Sequence, residues 1–252
     1  MPSVRLVTFN IHHGVGDDRR HDLERIAAVL AAADPDVVCL QEVDRTFGPR
    51  SQGVDQADLL ARALGRELVW ASAIEKQRAE GPAKRYGNAL LTRLPVADDA
   101  AHRLPGEGEP RAALRADLVV AGGALTVVAT HLSSDSARSR AAQAQALVDL
   151  LPAPGRAAVV AGDLNCGAAA AELTPLRSRL ADAWSRAGRR HDQAPGWQLW
   201  KRDLGLTHPA RRPRLRIDQV WVSPEVRVTG AAVLDGSRCS DHHPLQVDLE
   251  LG

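Results

Sequence analysis

The chain has 252 residues, 44% of them hydrophobic and 25% charged, which is the composition of an ordinary globular protein. Its formal net charge of +1 excludes a strong overall attraction to nucleic acid or to a membrane surface, and its three cysteines, an odd number, argue against a disulfide framework. No apolar stretch approaches the ~20 residues of a membrane span, and the first residues run directly into a strand-like segment without a signal-type sequence. We therefore expect a cytoplasmic protein with no obligate protein partner.

Strand-like and helix-like segments alternate along the chain. Helices are predicted around residues 23–30, over 55–64 with Gly65 as the C-terminal cap, over 136–151 and over 169–180. Gly122 and Gly123 separate two strand-like runs and give the strongest hairpin pattern in the chain. Strands are predicted at 5–11, 36–43, 67–74, 86–94, 111–120, 124–132, 157–163, 215–223, 226–234 and 245–249, with an irregular stretch over 185–213.

Helical crossovers at both ends, with an antiparallel hairpin between them, predict a mixed sheet system covered by helices. The sequence contains no evident repeat, low-complexity tract or linker, so we expect a single domain over residues 1–252.

Polar residues of the kind used in catalysis recur at the ends of apolar strands. They are Asn10, Glu42, Asn88, His131, Asp163 with Asn165, Asp218, and the run 240–243 before the last strand. A single polar strand end usually marks a turn, but turn formation does not explain six or seven of them. Strand ends along one sheet edge lie close together, so the pattern predicts one site assembled from distant positions.

These segments resemble, in identity, order and spacing, the successive motifs of the endonuclease/exonuclease/phosphatase superfamily. The resemblance covers residues 8 to 244. The matching segments are TFNI at 8–11, LQEV at 40–43, YGNAL at 86–90, THL at 130–132, GDLN at 162–165, RID at 216–218 and SDH at 240–242.

The resemblance implies an α/β fold, namely the four-layer α/β/β/α sandwich of two packed mixed β-sheets found in deoxyribonuclease I-like proteins. It also implies a metal site in which Glu42 is the main ligand, with Asn10 as its partner and Asp241 as a further contact. A sparse set of oxygen ligands, completed by water and a substrate phosphate, suits Mg²⁺, with Mn²⁺ as a possible substitute.

The same resemblance implies catalytic roles for six residues, in a mechanism of direct in-line attack by water. His242 corresponds to the catalytic histidine and Asp218 to the acid that orients it. Asp163 and Asn165 correspond to the pair that positions the water and the phosphoryl oxygens. His131 corresponds to a second phosphate-facing histidine, and Asn88 belongs to the asparagine motif. Whether Asp163 or His242 accepts the proton of the water stays open.

One departure from the family pattern affects the metal site. Apurinic endonucleases of the family carry an aspartate two residues after the first asparagine, where this chain has His12. The pairs His12-His13 and His242-His243 raise the alternative of a zinc site. Because the matching carboxylates favour Mg²⁺, His13 and His243 are interpreted as neighbours of the site.

Substrate selection is assigned first to residues 185–216, which contain nine basic and two acidic residues around Trp197 and Trp200. Positive charge with interleaved aromatic residues is typical of contacts with phosphate-rich or single-stranded nucleic acid. The alternative is a solvated loop whose tryptophans cover a sheet edge. Lys84, Arg85 and Arg111 are the second candidate for substrate selection, and Tyr86 is a further candidate for substrate binding.

The sequence thus predicts a metal-dependent hydrolase of phosphate esters. A nuclease or other phosphodiesterase is slightly favoured over a phosphatase of inositol phosphates or a sphingomyelinase-like phospholipase. The rival from another class is a binding protein that kept the fold and lost catalysis, which would have been indicated by the loss of Glu42, Asp163 or His242.

Overall fold

The computed structural model describes residues 1–191 and 204–252 and contains two mixed β-sheets. Within these residues the first sheet has seven strands, in the order β10 (Arg190–His191), β12 (Val226–Val233), β13 (Leu245–Leu251), β1 (Ser3–Asn10), β2 (Val37–Arg45), β4 (Lys84–Thr92) and β3 (Glu67–Lys76). The second sheet, over the same described residues, has six strands, in the order β5 (Val96–Arg103), β6 (Ala112–Val120), β7 (Gly123–His131), β8 (Ala158–Asp163), β11 (Asp218–Val222) and β9 (Ala181–Asp182).

Helices cover the outer faces of the two sheets. They are α1 (Leu23–Ala33), α2 (Gln56–Leu64), α3 (Ala137–Asp149) and the single-turn helix α4 (Thr174–Arg177). A second single-turn helix, α5 (Ala183–Arg186), instead packs Ala183 and Trp184 into the core cluster between the sheets. Helices α1 and α2 share a core cluster with the first sheet, whereas α3 and α4 share one with the second. The predicted four-layer α/β/β/α sandwich is confirmed.

Both faces of the central strands are buried, which explains their continuous apolar runs. In β1, Leu6 points into the core between the sheets, whereas Val7 and Phe9 face α1 and α2. Successive side chains of a strand alternate between its faces, so a strand covered on both sides needs apolar residues at almost every position.

The helix boundaries follow from capping side chains. Asp22 accepts a hydrogen bond from the N–H of Arg25 at 3.1 Å and begins α1, and Ser136 does the same for α3 through Ser139 at 3.1 Å. Gly65 ends α2 with a left-handed φ of 62°, as the sequence predicts. These caps satisfy backbone groups that have no partner inside a helix.

Two predicted features differ in the structure. The helix predicted over 169–180 is wrong, because this segment forms a short 3₁₀ turn (Ala171–Leu173) followed by α4. Pro175 lacks a backbone N–H and so cannot lie in the interior of a longer helix. The strand β5 is missing from the sequence-based prediction because half of its residues are charged or polar and most of them are exposed at the edge of the sheet.

The strand directions bring the predicted polar ends together. β1 runs parallel to β2, and β7 runs parallel to β8, so the carboxyl ends of each pair lie at the same edge. β11 runs antiparallel to β8 and begins at this edge, which places Asp218 opposite Asp163. His131 lies opposite Asp163 on the other side. In the part of the chain that the structure describes, no helix is both long and apolar enough to cross a membrane.

Gly162 allows β7 and β8 to approach each other closely directly beside Asp163. Its φ is +155°, and a Cβ atom added to it would lie 1.9 Å from the carbonyl oxygen of Thr130. We expect Gly162→Ala to lower the free energy of unfolding by about 2–3 kcal/mol, the order of an overpacked core position, and the thermal midpoint by roughly 5–10 °C.

Gly123→Ala is the matched control, because an added Cβ there meets nothing within 4 Å. Calorimetry or circular dichroism would compare the two variants. Equal midpoints for both would contradict the steric explanation.

Candidate active site

Asn10 connects the two sheets at the edge where their strand ends meet. Its amide Nδ2 donates to Glu42 Oε1 at 3.0 Å and to Asp163 Oδ2 at 3.1 Å. Glu42 belongs to β2 in the first sheet and Asp163 to β8 in the second. The carboxylates that the sequence predicts for the metal and for the water therefore lie on the two sides of one buried amide.

Asp163 is only 2% exposed, and several donors surround its carboxylate. In addition to Asn10, the N–H of Asn165 donates to Oδ1 at 2.9 Å. The Nε2 atoms of His131 and His242 lie 3.6 and 3.7 Å from Oδ2. Oδ2 is thus the point on which an asparagine and two histidines converge.

His242 is held by a carboxylate from the neighbouring strand. Its Nδ1 lies 2.8 Å from Asp218 Oδ2, and both side chains are buried. Burial acts to lower the pKa of His242, but Asp218, Asp163 and Asp241 together raise it to about 10. The ring therefore carries a positive charge at neutral pH, with Nδ1 directed at Asp218 and Nε2 facing Asp163.

A serine fixes the loop that carries His242. Ser240 Oγ donates to the carbonyl oxygen of Asn10 at 2.7 Å and accepts from the N–H of His242 at 3.1 Å. His243 has a structural role, because its Nδ1 accepts a hydrogen bond from Gly236 at 3.0 Å.

His131 is buried, and a nitrogen of another side chain approaches each of its ring nitrogens, although a neutral imidazole can accept a hydrogen bond at only one of them. Arg111 approaches its Nδ1 at 3.2 Å, and Asn165 Nδ2 approaches its Nε2 at 3.0 Å. Burial, with the charges of Arg111 and His242, lowers the pKa of His131 to about 3 against the opposing effect of Asp163. This histidine is accordingly neutral, in contrast to His242.

A group of side chains suited to a cation lies next to Glu42. The ligand atoms of His12, His13 and Glu42 lie within 4.8 Å of one another. Burial raises the pKa of Glu42, and the nearby carboxylates of Asp163 and Asp241 add to the effect, although the hydrogen bond from Asn10 opposes it. The three neighbouring carboxylates of Glu42, Asp163 and Asp241 favour a bound cation, so the donor set fits a divalent metal.

Asp241 lies on the far side of this group, between two histidines. Its Oδ1 is 3.7 Å from His12 Nδ1, and its Oδ2 is 4.0 Å from His208 Nε2. The ring of His208 also packs against His242, with centroids 4.5 Å apart. His208 is missing from the sequence-based prediction because no local motif marks it. Its position within the basic segment that leads into β11 is the only hint that the sequence offers.

Two further predicted residues, Asn88 and Tyr86, lie near this centre on β4. Asn88 donates to the carbonyl oxygen of Ala112 in the opposite sheet at 2.8 Å. Tyr86 is buried beside Phe47, and Arg50 covers its ring at 5.3 Å. Trp197 and Trp200 lie outside the described residues.

Arg50 is a second residue without a motif of its own. Its guanidinium forms two hydrogen bonds to the buried carboxylate of Asp44, at 2.7 and 2.8 Å, and stacks over Phe47 at 4.4 Å. It thereby fixes a positive charge next to the ring of Tyr86.

One edge of the two-sheet sandwich carries the pair Asn10–Glu42, the pair Asp218–His242 and the turn Asp163–Asn165. This combination is typical of the class of phosphoester hydrolases that share the architecture. The profile of the Endonuclease/Exonuclease/phosphatase family matches residues 7–242. The chain belongs to this family.

Solved structures agree with this assignment. An endonuclease/exonuclease/phosphatase from Beutenbergia cavernae is 27% identical, with a TM-score of 0.78 over 100% of this chain and 72% of its own. A mannosyl-6-phosphatase from Bacteroides thetaiotaomicron is 17% identical (TM-score 0.77; 98% and 100% covered), and a truncated TDP2 from Caenorhabditis elegans is 19% identical (TM-score 0.68; 98% and 97% covered). Because the sequence identities of these two proteins to the chain are low, their similarity shows only a common fold. No curated protein matches the chain in sequence.

The dependence of His242 on Asp218 can be measured without a substrate. In Asp218→Asn we expect the pKa of His242 to fall from about 10 toward the ordinary histidine value, because the largest favourable charge is lost. The wild-type pair stabilises the fold fully below pH 6.5 and loses this contribution as the pH rises through about 10.

An NMR titration of the His242 ring in metal-free protein measures this change. Asp235→Asn is the control, since Asp235 faces His243 and does not hold His242. An unchanged pKa in Asp218→Asn would rule out the pairing.

Proposed function

We propose that the protein is a divalent-metal-dependent phosphoesterase that hydrolyses its substrate by direct in-line attack of water. The observation that supports this most is the surroundings of Asp163 Oδ2, which lies 3.1 Å from Asn10 Nδ2 and 3.6 and 3.7 Å from two histidine nitrogens. A water molecule beside this oxygen would have a proton acceptor on one side and cationic or amide donors for a phosphoryl group on the other.

Asp163 is the proposed acceptor of the water's proton. A carboxylate oxygen within hydrogen-bond reach of the attacking water can act as the general base. His242 is less suited to this task, because its Nδ1 is taken up by Asp218 and its pKa of about 10 leaves Nε2 protonated as well at neutral pH.

His242 is instead the proposed proton donor and positive group for the phosphoryl oxygens or the leaving group. The buried Asp218 holds its ring in place and keeps it cationic. Asn165 and the neutral His131 are proposed to orient the phosphoryl oxygens, with Arg111 fixing His131 from behind. Such preorganised donors stabilise charge that develops in the transition state.

Glu42, Asn10 and Asp241 are the proposed metal ligands, with Mg²⁺ or Mn²⁺ as the ion. When bound, the ion would supply positive charge for the phosphoryl oxygens. Glu42 is fixed by the amide of Asn10, and the backbone of Asn10 is held by Ser240.

Phosphodiesters are the favoured substrates because of the basic segment that leads into β11. Residues 185–216 carry a net charge of +7 in a chain whose total is +1. In its described part, the N–H of Ala210 donates to the carbonyl oxygen of Asp241 at 2.7 Å, which brings the exposed Arg211 and Arg212 next to the site. Trp197 and Trp200 are proposed to stack on substrate, a role that rests on their sequence position. A phosphomonoester is the second candidate, in view of the mannosyl-6-phosphatase with the same fold.

The first test is hydrolysis of bis-p-nitrophenyl phosphate and p-nitrophenyl phosphate with Mg²⁺, with Mn²⁺ or with EDTA. We expect EDTA to abolish turnover and Asp163→Asn and His242→Ala each to reduce kcat by about 10²–10⁴-fold, the range of general acid–base catalysis. His102→Ala on the edge strand β5 is the control and should keep the wild-type rate. If neither ester nor plasmid DNA, RNA or inositol phosphates is hydrolysed with any ion, the binding-protein hypothesis replaces this one.

A second test separates polymeric from small substrates. We expect the double variant Arg211→Ser/Arg212→Ser to raise KM for single-stranded nucleic acid by about tenfold or more at low salt, since each phosphate contact contributes to a salt-dependent affinity. The KM for bis-p-nitrophenyl phosphate should stay unchanged. Arg227→Ser, an exposed arginine paired with Glu250 at 3.2 Å, is the control. An equal effect on both substrates would argue against a nucleic-acid partner.

A further inference from the structure

His12 and His13 follow Asn10 in a tight turn and approach Glu42 closely. One ligand atom from each of the three side chains lies within 4.8 Å of the other two. Imidazole nitrogens and carboxylate oxygens bind a metal ion at roughly 2.0–2.2 Å, so the ligands of one ion lie within roughly 4 Å of each other. The three side chains therefore need only a small adjustment to bind a common ion.

The ring of His12 is held in the tautomer that a metal ligand requires. Its Nδ1 lies 3.2 Å from the carbonyl oxygen of Val15. A carbonyl oxygen can only accept, so Nδ1 carries a proton, and in the neutral ring the lone pair is therefore on Nε2. Histidines that bind metal ions usually donate their other ring N–H to a carbonyl or carboxylate in this way.

The ring of His13 has a nitrogen that needs a partner. Nδ1 of His13 is buried and has no hydrogen-bond partner among residues 1–191 and 204–252. A buried polar atom without a partner destabilises the folded state. An ion bound at Nδ1 would supply the missing partner.

The backbone at all three positions is in the left-handed region. φ is 43° at His12, 43° at His13 and 57° at Glu42. This region is uncommon for residues other than glycine, and such strain persists where surrounding contacts require it, often at functional sites. One such contact is the hydrogen bond from the N–H of His12 to Asn10 Oδ1 at 3.0 Å.

We propose that His12 and His13 join Glu42 in a nitrogen-containing site that selects a first-row transition ion, such as Mn²⁺, Fe²⁺, Co²⁺ or Zn²⁺, over Mg²⁺. The inference rests on the proposed function, because it concerns the ion at the same site. Mg²⁺ prefers an octahedron of oxygen ligands, whereas imidazole suits the transition ions. The two histidines thus set which ion the site retains, while Asn10 and Asp241 complete its oxygen ligands.

The test is metal binding by the apo protein without substrate. Isothermal titration with Mg²⁺, Mn²⁺ and Co²⁺, together with the visible absorption of the Co²⁺ complex, would compare the wild type with His12→Asn and His13→Asn. Asparagine tolerates the left-handed backbone and removes the imidazole. His102→Asn is the control, because it removes a histidine on the edge strand β5, in the other sheet from Glu42.

We expect each variant to lose about 10–100-fold or more in affinity for Co²⁺ and Mn²⁺, the scale on which changes at metal sites act. The affinity for Mg²⁺ should change by less than about threefold, because the oxygen ligands remain. His12→Asp, which replaces a nitrogen donor with a hard oxygen, should shift the preference toward Mg²⁺. All transition ions bind such sites more tightly than Mg²⁺, so the change in the Co²⁺/Mg²⁺ ratio between proteins is the decisive quantity.

An unchanged Co²⁺/Mg²⁺ ratio in both asparagine variants would overturn the inference. The ¹⁵N spectrum of histidine-labelled wild-type protein gives an answer even if a variant fails to fold. Zn²⁺ should shift the ring nitrogens of two neutral histidines and Mg²⁺ should not, and the absence of such shifts would also overturn it. Failure of hydrolysis with every ion would count against the proposed function alone, because none of these readouts involves turnover.

Discussion

Burying a carboxylate almost completely is costly unless hydrogen-bond donors and positive charge replace its lost water. Asp163 meets this condition through the amide of Asn10, the N–H of Asn165 and the imidazolium of His242. Each of these partners comes from a different strand end or loop. The two sheets can supply them together only if they pack with their strand ends in register, so the electrostatics of this one side chain and the stacking of the sheets depend on each other.

The two histidines beside Asp163 show how strongly local surroundings decide protonation. Both are buried, and burial lowers the pKa of each. His242 has a carboxylate on Nδ1 and is cationic, whereas His131 has a guanidinium on Nδ1 and is neutral. Two chemically identical rings on either side of one oxygen therefore differ in charge, which provides the site with separate groups for donating and accepting.

The sequence predicts much of this arrangement because the central strands and the motifs are local features. Continuous apolar runs identify strands buried on both faces, and Gly65 marks a helix end by its capping role alone. The unpredicted parts depend on distant contacts. His208 can be recognised as a site residue only in the folded chain, where it packs against His242 and lies near Asp241. The left-handed backbone at His12, His13 and Glu42 likewise has no signature in the sequence, because none of the three is a glycine.

Charged residues on the edge strand β5 protect an open edge of the second sheet. Asp98 and Asp99 are exposed on this strand, and Asp98 lies 3.5 Å from Arg115 on the adjacent strand β6. Exposed charges at a sheet edge make it costly for a strand of another molecule to add there. The polar residues of β5 interrupt the apolar pattern by which strands are recognised, and they also oppose self-association. Replacing them with valine would make the strand easier to recognise in the sequence and would promote aggregation at this edge.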